Sequence, residues 1–171
     1  AEPVAKEYTI ESEIPKALVR LYWPASDARD VKFSRRMRLL TDVFADRLRV
    51  KIREELGGTY SPNAGGDLSE IYPGYGYIVA EATVAPDDTR RIADAIKAVA
   101  TGLQANGVTE EELVRAKQPV LTALRESSRT NPYWLNTVLA SAQEIPQRLE
   151  WSRTRYSDNE SVTTAELTAL A

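Results

Sequence analysis

The sharpest local pattern in the chain is Lys51-Ile52-Arg53-Glu54-Glu55-Leu56-Gly57-Gly58-Thr59-Tyr60-Ser61, which brackets a guanidinium, Arg53, and a phenol, Tyr60, around a pair of glycines. Where water is excluded, a preplaced phenol O–H or guanidinium stabilises negative charge developing on a carbonyl oxygen under attack, and a guanidinium can also hold substrate carbonyls. Each residue has an ordinary reading as well. Arg53 lies off the apolar stripe with Asp42, Asp46 and Arg49, and a cation near a helix C-terminus gains ~0.3 to 1 kcal/mol from the helix dipole without any function. Tyr60 alone reads as a strand residue with a solvated hydroxyl.

The rest of the inventory narrows the chemistry. There is no histidine and no cysteine, which removes Ser-His and Cys-His nucleophile pairs, thiolate catalysis, disulfides and nearly all catalytic zinc sites. Glu110, Glu111 and Glu112 are three successive carboxylates, but at a helix start capping and the dipole explain them, and no metal is assigned. Gly57-Gly58 and Gly65-Gly66 lack the endings of a phosphate loop or the spacing of a dinucleotide site and read as turns. Tyr72, Tyr75 and Tyr77 offer an aromatic surface suited to an extended peptide or a sugar, or serve as sheet-surface packing.

The elements that must position these residues follow from periodicity. Residues 16–23 alternate, with Ala17, Val19, Leu21 and Trp23 on one side, as in a half-buried strand that Pro24 ends. From Val31 to Leu56 the stripe Phe33, Met37, Leu40, Phe44, Leu48, Ile52 and Leu56 predicts one long amphipathic helix, stopped by Gly57 and Gly58. Residues 59–68 and 74–85 read as a hairpin around Ile71 to Gly74, with Ile78, Ala80, Ala82 and Val84 on the packed face. Tyr75, Tyr77, Val79, Glu81 and Thr83 form a wetter face that could line a cleft.

Asp87 or Asp88 can cap a helix carrying Ile92, Ile96, Val99 and Leu103 and ending near Asn106 and Gly107. Thr109 with Glu112 forms a capping box, and Val108 with Leu113 its hydrophobic staple. Pro119 should kink the helix that follows. Helical pattern resumes from Trp134 to Ala142, Pro146 breaks it, and residues 162–171 read as a last short helix. This order of elements predicts an α+β class, a mainly antiparallel sheet with helices packed on one face. Because the helical pattern runs on to Ala171, the reading expects a chain truncated at its C-terminus, with one or more closing strands missing.

The segment from Arg53 to Ser61 is similar to the Arg-Glu-x-Leu-Gly-x-x-Tyr-Ser pattern in the C-terminal half of pitrilysin/insulinase-type zinc peptidases. Gly107 to Leu113, followed by Lys117 and a helix leading to Trp134, resembles that family's next helical stretch, and Val162 to Leu167 its closing one. In the family two homologous halves enclose a chamber, and one half carries an inverted His-x-x-Glu-His zinc motif. The resemblance therefore implies that this chain is the other, non-catalytic half-module, residues 1–171 forming a single unit of a larger chain. It implies no catalytic residue and no metal here, zinc in the partner catalytic half, and a substrate-contacting, transition-state-stabilising pair at Arg53 and Tyr60. Its expected partners are a peptide substrate and the homologous catalytic half, on the same chain or on a partner subunit. An edge strand that holds the substrate by strand addition fits the same picture.

Composition sets the remaining bounds. With 22 Lys+Arg against 25 Asp+Glu over 171 residues and no basic block, the sequence offers no footprint for nucleic acid or an anionic membrane. No apolar run approaches the ~20 residues needed to span a bilayer, and any targeting segment would lie outside these residues. A bacterial periplasmic setting follows only from family habit. Two other readings stay open at this point: a metal-free core subunit of the same fold, and an unrelated α+β interaction domain in which Arg53 and Tyr60 are incidental.

Overall fold

The computed structural model describes residues 4–56 and 61–171, apart from the side chains of residues 54–56. Its elements are β1 (Ala17–Ala25), α1 (Val31–Leu56), β2 (Asn63–Leu68), β3 (Gly76–Val84), α2 (Thr89–Asn106), α3 (Glu110–Ser127), α4 (Gln147–Ser161) and α5 (Thr164–Leu170). A 3₁₀ turn at Pro86–Asp88 leads into α2, and a π-helical segment, Tyr133–Leu139, precedes α4. The strands form one antiparallel sheet in the order β1-β3-β2, and the helices cover one of its faces. The α+β class read from periodicity is the architecture observed.

The packing follows from the stripes. Val19, Ala80, Ala82 and Val84 turn inward from the sheet to meet Met37, Leu40, Phe44, Leu48 and Ile52 of α1 and Ile92, Ile96, Val99 and Leu103 of α2. Trp23 lies edge-to-face on Phe44, with ring centroids 5.5 Å apart. α1 carries a second buried row, Leu39 and Val43, because α3 and α5 pack on α1 rather than on the sheet, while α4 packs chiefly on α3. At ~25 cal/mol per Å² of apolar surface, the burial of these side chains is the main term holding the layers together. The helix junctions are fixed by caps: Thr109 and Glu112 form the expected capping box, Thr163 and Glu166 form another at α5, and Gly107 takes φ 69°, the left-handed conformation that glycine tolerates.

Three expectations are corrected. Pro24 does not end β1; it pairs in register with Tyr77, and the strand continues to Ala25. β1 is an edge strand, and there a residue without an N–H costs the ladder nothing. Gly65 and Gly66 are not turns but the middle of β2. Gly66 is required by close approach, since a Cβ there would meet the Ile78 side chain at 2.6 Å and the Tyr77 carbonyl at 3.1 Å. α4, from Gln147 to Ser161, has no counterpart in the reading, which passed directly from Pro146 to the last helix. The glycines 57 and 58 assigned to stop α1 lie outside the described residues, and α3 continues through Pro119 to Ser127.

α4 is polar on most of its surface and is held by polar contacts. Asp158, 9% exposed, accepts from Arg35 at 3.0 Å and from Arg36 at 3.3 Å, so two arginines at the start of α1 grip one carboxylate. Arg35 also donates to the Trp151 carbonyl at 2.7 Å. Lys117 donates to the carbonyls of Glu160 at 2.9 Å and Val162 at 2.6 Å, neutralising the C-terminal end of α4. Arg155 stacks on the Tyr133 ring at 3.8 Å while donating to Leu124 and Ser127 of α3.

Candidate functional site

Arg53 sits in the last turn of α1 and is exposed. Ile52, 1% exposed, anchors this end of the helix in the core. One residue advances about 100° around a helix, so the same anchoring turns Arg53 outward. Arg53 forms no ion pair with any other described residue, unlike Arg47 and Arg49 on the preceding turns, which hold Glu112 and Asp46. The chain re-enters the described structure at Ser61, exposed, and Pro62, buried, and then joins β2 at Asn63. Tyr60, the other half of the expected pair, lies outside the described residues. What the structure supplies is therefore an exposed guanidinium in the last turn of α1, without an ion pair among the described residues.

The glutamates at the start of α3 have structural partners. Glu112 accepts from Arg47 at 2.6 and 2.8 Å and from the Thr109 N–H at 2.9 Å, and the Arg47 hydrogen bonds hold its carboxyl down at about 2. Glu111 pairs with Arg115 at 2.6 Å, and Glu110 accepts from the Thr164 hydroxyl at 2.9 Å. The donor set does not fit zinc. The sequence holds neither histidine nor cysteine, and no group of three or more acidic side chains among the described residues could hold a metal ion.

The open face of the sheet is richer than the sequence suggested. The register places Leu18 beside Thr83, Arg20 beside Glu81 and Asn63, Tyr22 beside Val79 and Gly65, and Pro24 beside Tyr77 and Asp67. Tyr22, to which the sequence reading gave no role, touches Tyr77 edge-on at 5.6 Å; Tyr77 touches Tyr75 at 6.5 Å, and Tyr75 touches Tyr72 at 6.4 Å. Alternation in β1 does put Tyr22 opposite Val19 and Leu21, but only the pairing register brings it to Tyr77. The turn carrying Tyr72 is built by Ser69, whose hydroxyl accepts from Ile71 and Tyr72. It is also fixed by Asp27, which accepts from the Gly74 N–H at 2.6 Å. Gly74, with φ 67°, needs glycine's freedom there.

Compared with known sequences, residues 2–120 match the family model of the peptidase M16 inactive domain. The chain belongs to that family. It is 34% identical over 114 residues to the chloroplastic stromal processing peptidase of Pisum sativum, a match covering 66% of this chain and 9% of the relative. The corresponding Arabidopsis thaliana protein is 30% identical over 122 residues, covering 71% and 10%. The chain thus spans about a tenth of the length of the curated relatives it matches.

Among solved structures, the periplasmic protease PqqL from Escherichia coli superposes with a TM-score of 0.75 at 21% identity, over 92% of this chain and 18% of that one. The peptidase M16 inactive domain from Pseudomonas fluorescens gives 0.74 at 18%, over 91% and 37%. At these identities the likeness is one of fold. As an inactive domain of a peptidase family, the chain has a family description that agrees with a sequence lacking histidine. Among the described residues no helix is long and apolar enough to cross a membrane.

Proposed function

We propose that residues 1–171 form one non-catalytic module of a larger zinc-dependent endopeptidase, and that this module binds and orients the peptide that a homologous catalytic half cleaves. The observation that carries this reading is the joint Arg53 to Ser61 sequence pattern between the end of α1 and the start of β2, in a chain of the inactive-domain family without a histidine. The exposed Arg53, without an ion pair among the described residues, supports it, because a guanidinium committed to a neighbouring carboxylate would have little left to offer a substrate carbonyl. In this reading zinc and its ligands belong to the catalytic half. Arg53 holds the substrate carbonyl, and the Tyr60 hydroxyl donates to the oxygen on which charge develops. The unpaired edges of β1 and β2 are suited to an extended peptide backbone.

The test is Arg53→Ala and Tyr60→Phe in the intact peptidase, with turnover of an unfolded peptide and zinc content read together. Loss of one donor to the developing oxyanion should lower kcat on the order of 10² to 10³-fold, about 2.7 to 4 kcal/mol, with zinc retained. Unchanged turnover removes both residues from the mechanism.

A further inference from the structure

Four tyrosines on the open sheet face are not used by the Arg53 and Tyr60 pair. Tyr22 and Tyr75 are each 57% exposed and Tyr72 is 66% exposed, although a phenol ring usually buries most of its surface. They are nonetheless ordered into a row, because successive edge-to-face contacts at interplanar angles of 65°, 74° and 81° link Tyr22, Tyr77, Tyr75 and Tyr72. In each such contact the edge of one ring meets one face of the other, so a ring whose face is used keeps its opposite electron-rich face, the surface that attracts a cation. Elsewhere in this chain tyrosine faces are filled by the protein's own arginines, Arg155 over Tyr133 and Arg125 over Tyr156. No cation stands over the rings of the row among the described residues.

The charges around the row point the same way. Glu70 is paired with Arg148 and Glu81 with Arg20, the latter guanidinium also lying near the Tyr22 hydroxyl. The Gly74 and Arg29 N–H groups lower the Asp27 carboxyl below its ordinary value, and the Arg29 charge adds to this. Asp67 stands directly across from Tyr77, exposed, without an ion pair among the described residues. Beside it Gly65 leaves open space where a side chain would stand, so the strand backbone and Val79 form a low floor between Tyr22 and Asp67. An exposed carboxylate, a bare floor and uncovered aromatic faces together suit a guanidinium or ammonium on an extended chain. The same charges disfavour a second copy's own segment 4–14, in which Glu7, Glu11 and Glu13 outnumber the one cation, Lys6.

Resting on the proposed function, we infer that Tyr22, Tyr75, Tyr77 and Asp67 form a subsite for an Arg or Lys side chain of an extended peptide, with Tyr72 extending its apolar wall. Asn63, where the connection from α1 joins the sheet, and Asp67 are separated along β2 by about 13 Å at a rise of ~3.3 Å per residue. The subsite therefore lies about four residues of extended chain from the end of β2 at which that connection enters the sheet.

The test uses two dodecapeptides of alternating Ser and Leu, blocked at both ends, one with a central Arg and the other with citrulline, which keeps the shape and removes the charge. Titrated against the full chain, the Arg peptide should bind at least tenfold more tightly than the citrulline peptide. Asp67→Asn should erase most of that preference, and Tyr75→Leu or Tyr22→Leu, which keep apolar area but remove the π face, should weaken the Arg peptide fivefold or more. Circular dichroism of each variant guards against loss of folding. Equal affinity for the two peptides, or indifference to Asp67→Asn and both tyrosine variants, overturns the subsite. Binding that depends on Arg53 alone also overturns it while leaving the proposed function intact. A charge preference that survives Arg53→Ala, in a peptidase whose turnover ignores Arg53 and Tyr60, sustains the subsite and removes the oxyanion role.

Discussion

Replacing Glu112 by glutamine tests the clamp that ties α1 to α3. The carboxylate accepts two hydrogen bonds from Arg47, at 2.6 and 2.8 Å, and one from the Thr109 N–H at 2.9 Å, while Arg47 also holds the Gly107 carbonyl at 2.6 Å. These contacts, the Arg47 hydrogen bonds first, lower the carboxyl from 4.5 to about 2. At ~1.36 kcal/mol per unit that shift has a ceiling near 3.4 kcal/mol. The side chains of Arg47 and Glu112 are 20% and 14% exposed, so water screens part of it, and about 2 kcal/mol is the working value.

The sign follows from linkage. A depressed folded-state value adds stability above the unfolded value of 4.5, and this is lost as pH falls toward 2. Urea unfolding should therefore place Glu112→Gln about 2 kcal/mol below the parent chain at pH 7, equivalent to roughly 4 to 8 °C in Tm. The gap should close on acidification through the window from 4.5 to about 2. A gap that persists unchanged to its lower end would refute the ion pair as its cause, leaving only shape and hydrogen bonding.

Other outcomes follow from the same packing. Asp158→Ala leaves Arg35 without a carboxylate partner and Arg36 with Glu166 alone, and should cost about 3 kcal/mol with early loss of α4, read by hydrogen exchange at residues 147–161. Gly76→Ala should destabilise by at least about 1 to 3 kcal/mol in urea titration, because a Cβ there would overlap the Ser26 carbonyl oxygen and press on Leu68. Dialysed against excess zinc and then against buffer, the chain should retain no stoichiometric metal by elemental analysis; one tightly held ion would contradict the account of its donor set.

The parts of the fold that were legible are those in which apolar periodicity decides burial. α1 declared itself through Met37, Leu40, Phe44, Leu48 and Ile52, and β3 through Ile78, Ala80, Ala82 and Val84. Local polar chemistry was legible too: the Thr109–Glu112 capping box is complete within four residues. α4 was not, because its anchors are Asp158, Arg155 and the Trp151 carbonyl, whose partners Arg35 and Tyr133 belong to other elements. Pro24 and Gly66 misled for a related reason. A proline signals a stop only where its missing N–H is needed, and a glycine signals a turn only where no strand presses on it.

Of the candidate site, Arg53 could be placed at a helix end from the stripe alone. Tyr72, Tyr75 and Tyr77 could be named as an aromatic surface, but Tyr22 joined them only through the β1–β3 register, a long-range fact that no local pattern carries.

The central claim is that this module touches what another module cuts. A photoreactive benzoylphenylalanine at Ser61, exposed between Tyr60 and β2, tests it most directly in the intact peptidase with a bound, labelled peptide. Glu111, on α3 with its side chain 83% exposed, provides the control position. The account predicts peptide cross-linked at position 61, displaced by excess unlabelled peptide, and none at position 111. Equal labelling at the two positions, or none at position 61 while the peptidase is cleaving, would contradict it.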